Sequence, residues 1–210
     1  EPEPKPEPKP EPKPEPAPAE ITRPATRPGF VEARAGIVRV QRKGSKEWTG
    51  TGARSTLQEG ERYKFESGGA RLLLPDGTVL CAAGGSEIAI DRLALIPHRL
   101  TLVTGELFAE TKEGDLHVKA GALEAKGHGA TLHLKSRGDE ATLTLFHGEA
   151  EAGKATLAAG SQLTAKGKTL GEPKKAVTTQ LASWIDPIRS VLFMDEFQAD
   201  SLADAWDAHG

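Results

Sequence analysis

From Phe30 to about Lys168 the chain never sustains the apolar spacing of a helix face, and this limits its fold more than any other feature. Apolar side chains instead recur at alternate positions in short runs, each cut by Gly or Asp-Gly every 8–12 residues. Gly36-Ile37-Val38-Arg39-Val40-Gln41 alternates and ends at Lys43-Gly44-Ser45, and Tyr63 and Phe65 alternate before Ser67-Gly68-Gly69. Arg71-Leu72-Leu73-Leu74 runs into Pro75-Asp76-Gly77-Thr78, a hairpin signal, and then Val79-Leu80-Cys81. Ile88 with Ile90, and Leu100 with Leu102, form further apolar faces, the latter broken at Gly105. Leu116 and Val118 oppose His117 and Lys119; Leu132 and Leu134 oppose His133 and Lys135; Leu143 and Leu145 oppose Thr142 and Thr144. Leu157 and Leu163 close the series around Gly160. Successive side chains on a strand point to opposite sides, so each segment has one buried and one wet face. Many short half-buried strands without intervening helices predict an all-β fold, a solenoid-like β roll or sandwich, rather than a parallel α/β sheet.

The ends are different material. Nine of the 15 prolines occupy every even position from Pro2 to Pro18, interleaved with Glu and Lys. Such a stretch has fixed φ, half its amide donors removed and nothing apolar to bury, so it is predicted to sample polyproline II as a spacer of roughly 55 Å. Residues 19–28, with Pro24 and Pro28, continue it, which gives a disordered linker over 1–28. After Pro173, Leu181, Trp184, Ile185 and Ile188 recur at helical spacing, with Thr178 or Thr179 as possible caps. Asp186-Pro187 ends one helix and opens a second. The expected order is therefore linker 1–28, β domain 29–172, helical joint 173–192 and a final segment 193–210. The chain begins at Glu1 and its one methionine is Met194, so it is expected to be a fragment of a longer protein.

No chemical constellation stands out. A net charge of −3 argues against a strongly electropositive nucleic-acid binder. A single cysteine, Cys81, excludes a disulfide framework and any zinc site built on several thiolates. Four of the six histidines, His117, His128, His133 and His147, fall within about thirty residues but lack H-x-H or HExxH spacing. His117 and His133 lie on predicted solvent faces, and His128 sits between two glycines in a predicted turn. Gly85-Ser86 and Gly160-Ser161 are turn material rather than a nucleophile elbow. Cys81 is expected to fill a small buried space. The glycine pairs do not form G-x-G-x-x-G at the opening of a helix. No catalytic, cofactor-binding or metal-binding residue is assigned, and the chain is expected not to be an enzyme.

The order of turns carries a resemblance. Leu57-Gln58-Glu59-Gly60-Glu61 precedes Gly69-Ala70-Arg71-Leu72 and the Asp76-Gly77-Thr78 hairpin, as L-x-x-G-(D/E), Gly-Ala-x-Leu and D-G-(S/T) do in the FecR domain. Ser86-Glu87-Ile88-Ala89-Ile90 is similar to its S-x-L-x-(I/L) strand, and Leu100 to Phe108 to its L-x-L-x-x-G-x-(A/L) strand. Ala141 to Glu151 resembles its V-x-V-x-x-G-x-V segment, and Leu157 to Leu163 its closing L-x-A-G-(E/Q)-x-(L/I) turn. The resemblance spans about 36–166 and departs at Val118-Lys119-Ala120-Gly121 and Gly129-Ala130-Thr131-Leu132, where the family carries V-x-T and G-T-x-F.

This resemblance implies an extracytoplasmic domain of a membrane-anchored envelope regulator. Such a domain receives a signal by protein–protein contact with a transporter or receptor. A sigma factor would be reached only through a cytoplasmic part outside this chain, and the membrane only through an upstream anchor. The implied location is periplasmic. The proline-rich tail is similar in composition to the spacer of TonB-like proteins. Phe193-Met194-Asp195-Glu196-Phe197 through Trp206 resembles the opening of a laminin-G-like or concanavalin-like domain. That likeness supports an alternative role, a structural or adhesive envelope stalk carrying a carbohydrate- or protein-binding domain.

Overall fold

The structure, a computed structural model, describes residues 23–25, 27–111 and 115–176. The proline-rich tail, the apolar stripe from Leu181 to Ile188 and the laminin-G-like segment lie outside the described residues. Throughout the described chain the structure is strand and turn, as the alternation requires. In chain order the strands are β1 (Arg23–Pro24), β2 (Phe30–Ala35), β3 (Val38–Gln41), β4 (Trp48–Thr51), β5 (Arg62–Phe65) and β6 (Gly69–Leu73). Then come β7 (Val79–Ala83), β8 (Glu87–Arg92), β9 (Leu95–Ile96), β10 (His98–Glu110), β11 (Asp115–Ala120) and β12 (Leu123–Arg137). The series ends with β13 (Glu140–Ala152), β14 (Ala155–Ala158), β15 (Ser161–Lys166), β16 (Thr169–Leu170) and β17 (Lys174–Lys175).

All but β1 and β9, which pair with each other, belong to one mixed sheet of 15 strands. Its spine is three long strands. The first half of β10 pairs with β8 and, in parallel, with β11; its second half pairs with β7 and β12. From β8 one wing continues through β5 and β3 to β4, while a second wing runs from β7 through β6 to β2. β12 pairs along its length with β13, which then meets β15 and β14 in turn.

Both wings and the spine bury their inward side chains in one core. It includes Val38, Tyr63, Phe65 and Ile88 from one wing and Val31, Leu72 and Leu80 from the other. Leu102, Leu107, Leu132, Leu143 and Leu163 come from the spine and its flank. Each fully buried leucine or isoleucine contributes roughly 1.5–3 kcal/mol by leaving water, so the register is set by which alternate residues are apolar.

Two expectations need revision. The strands are not uniformly short: Gly105 interrupts no strand, because β10 runs through it while changing partners. Strand pairing also extends beyond the predicted 29–172 span: Arg23–Pro24 pairs with β9 in the separate two-stranded sheet, and Lys174–Lys175 pairs with β15.

Candidate functional site

Where β7, β10, β12 and β13 lie side by side, every other residue points away from the core. Cross-strand register aligns these outward residues in rows. One row runs Arg71, Cys81, Phe108, His133, Thr144 and Gln162 from β6 to β15. The next runs Glu106, Lys135, Thr142 and Thr164. Cys81 and Phe108 form an apolar cluster outside the main core, with Val79 and Phe146 packed against it. The Phe108 and Phe146 ring centroids are 6.4 Å apart with the planes tilted by 40°, within the range where aromatic pairs gain beyond burial alone.

Beside this cluster lies a charged group. Glu106 Oε1 is 2.8 Å from the Lys135 ammonium, and its Oε2 is 3.4 Å from His133 Nε2. Burial pushes the Glu106 carboxyl up, but Lys135 and His133 outweigh it and hold the group below the usual carboxylate value. Burial holds the His133 imidazole below its ordinary value against the opposing pull of Glu106.

The histidines divide differently from the sequence expectation. His117 and His133 do point away from the core, yet they are only 8% and 7% exposed. Their predicted solvation is therefore corrected: alternation reports a side chain's direction, not whether its face is covered. His128 is in no turn. It lies within β12, well exposed, with its Nδ1 2.5 Å from Asp115 Oδ1. His147 is exposed on β13 opposite Thr131. These positions bring together no metal site: among the described residues, no group of three His, Cys, Asp or Glu side chains could hold an ion.

His98, which the sequence did not single out, is fully buried with Nε2 3.3 Å from Asp76 Oδ1. The Asp76 carboxylate also accepts from the Thr78 amide at 2.9 Å and the Thr78 hydroxyl at 3.0 Å. Burial pushes that carboxyl up, but His98 and Thr78 bring it below its ordinary value. The Asp-Gly hairpin is thus anchored from a distant strand. Glu61, also buried, accepts from the Tyr63 hydroxyl and pairs with Arg42. Desolvation and the Glu61 bond push the Tyr63 hydroxyl well up. Both clusters satisfy buried charge locally and have the character of structural anchors.

Ser86 has a structural position. Its buried hydroxyl donates to the Glu106 carbonyl at 3.0 Å and accepts from the Glu106 amide at 2.9 Å. The adjacent Gly105 has φ +93°, and a Cβ there would lie 2.4 Å from Ser86 Oγ and 2.5 Å from its Cα. The serine and the glycine therefore form one joint between β8 and β10.

No protein-family model matches the chain, and no curated protein matches it. Among solved structures, two crystal structures of a proposed anti-sigma factor from Parabacteroides distasonis, at 1.65 and 2.50 Å resolution, are similar in part. Each is 17% identical over 59% of this chain, with TM-scores of 0.49 and 0.47. The chain spans 64% and 63% of the length of those two chains.

Proposed function

We propose that this β roll is a FecR-like extracytoplasmic relay domain of an envelope regulator that acts through protein–protein contacts on a sigma-factor pathway. The observation that carries the reading is the Ser86–Gly105 joint. Ser86 opens the S-x-L-x-(I/L)-like segment and Gly105 is the glycine of the L-x-L-x-x-G-like segment, yet the two meet in space. Residues that carry the resemblance in separate stretches of sequence are thus partners in one structural joint, as expected if the likeness reflects a shared roll.

In this reading the domain works in the periplasm on an anchored protein, and the proline-rich tail sets its distance from that anchor. The test removes residues 36–166 from the full-length protein in its own host and measures sigma-dependent transcription with and without inducer. Transcription that becomes independent of the inducer supports the relay role. Unchanged induction, together with lost surface attachment of the cells, would replace it with an adhesive one.

A further inference from the structure

We propose that the outer edge of β4 takes an acidic, extended segment of a partner protein as an added strand. β4 ends one wing of the sheet. It pairs with β3, and among the described residues no strand lies on its other side. The direction of its free backbone groups follows from the neighbouring ladder. The Glu66 amide donates to the Ile37 carbonyl at 3.0 Å, extending the β3–β5 register by one pair. Bonded and non-bonded pairs alternate in an antiparallel ladder, so Arg39 and Gln41 also bond to β5. Val38 and Val40 are left to bond Thr51 and Thr49 of β4. Trp48 and Gly50 therefore turn their amides and carbonyls to the open edge, the arrangement that β-strand addition uses.

The side chains around this edge fit one kind of strand. Half-buried Trp48 and Ile37, which is 50% exposed, lie on the outward face of the wing. A Cβ on Gly50 or Gly52 would meet nothing within 4 Å, so the surface along β4 beyond Trp48 is open to side chains of an added strand. Charge gives the partner's sign. Residues 37–65 hold seven basic and three acidic side chains in a chain whose net charge is −3. One of those acids, Glu61, is already paired with Arg42. Lys43 and Lys46, between β3 and β4, and Lys64 on β5 are exposed and form no ion pair among the described residues. A second copy of this edge would bring like charges together, which disfavours self-pairing. A segment with acids flanking β-branched residues meets the lysines with its charge and Trp48 with its apolar side chains.

The docking edge rests on the proposed relay role for the kind of molecule that meets it, a protein. Binding and inducible transcription are read separately, so either reading can fail alone.

The probe is a phage-displayed library of random peptides of about twelve residues, panned on the full chain and counter-selected on its Gly50→Pro variant. Gly50→Pro removes an amide that points to solvent, so it should move the melting temperature by no more than about 4 °C while blocking the edge. Recovered sequences should be acidic and rich in valine, isoleucine and threonine. The leading peptide, made synthetically, should slow hydrogen exchange of the Trp48 and Gly50 amides about tenfold and change Thr49 far less. Lys43→Glu combined with Lys46→Glu, both at exposed positions, should weaken that peptide about tenfold, and this variant supplies the counter-selection if the proline unfolds the chain. Recovery of only neutral or basic sequences, or binding unaffected by either variant, would overturn the proposal. So would a Trp48 amide that still exchanges freely with peptide bound. Dimerisation through this edge in sedimentation would assign it to a second copy and overturn the proposal. Binding to phosphatidylglycerol vesicles with no peptide selected would assign it to a membrane and overturn it as well.

Discussion

Replacing Gly105 by alanine tests the joint between β8 and β10. Gly105 sits at φ +93°, where an L side chain is disfavoured; the left-handed region costs about 1–2 kcal/mol, of which roughly half is offset by the alanine's smaller unfolded-state freedom. The new Cβ would also lie 2.4 Å from Ser86 Oγ, 2.5 Å from its Cα and 2.7 Å from its Cβ. A backbone atom is among these, so rotation of the serine cannot relieve the clash and the β8 and β10 backbones must separate. That movement breaks the two bonds between the Ser86 hydroxyl and Glu106, each worth about 0.5–1.5 kcal/mol. The expected destabilisation is about 2–4 kcal/mol, which lowers the melting temperature of a domain this size by roughly 6–12 °C.

Urea and thermal melts of the full chain measure the loss, with Gly121→Ala as the reference. Gly121 has φ +58° and open space where its Cβ would go, so only the conformational part remains, about 1 kcal/mol. In a Ser86→Gly background, Gly105→Ala should cost about 1 kcal/mol less, because two of the three clashing atoms are gone. If Gly105→Ala costs no more than Gly121→Ala, the two strands are not locked at this joint and the reasoning fails.

Three other outcomes are expected of the same structure. Leu102→Ala should cost about 2–5 kcal/mol in urea melts by opening a cavity, whereas Val103→Ala, its half-exposed neighbour, should stay within about 0.5 kcal/mol. Tyr63→Phe removes the hydroxyl that donates to buried Glu61, and should cost about 1–3 kcal/mol while leaving the circular dichroism unchanged. Burial holds His133 below its ordinary 6.5, so the fold binds this proton less readily than the unfolded chain does. The stability it contributes is therefore complete above pH 6.5 and is lost as pH falls through the depressed folded value; His133→Gln should flatten that part of a pH–stability curve measured by urea melts.

Alternation made the inward set legible. Leu100 and Leu102, Leu132 and Leu134, Leu143 and Leu145 all face the core, because a slip of one residue would expose every one of them. Pairing was not legible. The parallel contact of β10 with β11 joins residues 18 positions apart, and no local pattern encodes it. His128 was misplaced because two flanking glycines look like a turn, yet Gly127 sits opposite Leu116 in a regular ladder. The covered outer face escaped for a different reason. A period of two distinguishes sides, whereas coverage depends on what is laid over the sheet from elsewhere. His98 carried no signal at all, since its partner Asp76 lies across the fold.

The structure also relates two stretches that the turns alone keep separate. Leu100-Thr101-Leu102-Val103-Thr104-Gly105-Glu106 recurs as Leu143-Thr144-Leu145-Phe146-His147-Gly148-Glu149, with L-T-L-x-x-G-E common to both. In each copy two leucines face the core, the glycine takes a positive φ, and a neighbouring strand changes beyond it: β8 gives way to β7, and β15 to β14. A long strand can serve two parts of a roll only if its twist is reset midway, and glycine permits that within a continuous strand. The second kink is tighter against backbone. A Cβ at Gly148 would lie 2.3 Å from the Gly129 carbonyl oxygen and 2.9 Å from Ala130 Cα. No side-chain rotation can relieve these contacts, and yielding would disturb the bonds of Ala130 to Thr111. Gly148→Ala should therefore destabilise the fold by at least as much as Gly105→Ala, about 3 kcal/mol or more in urea melts. A smaller loss than at Gly105 would mean that β12 yields easily at Gly129, and that the two copies of the pattern do not play equivalent parts in closing the roll.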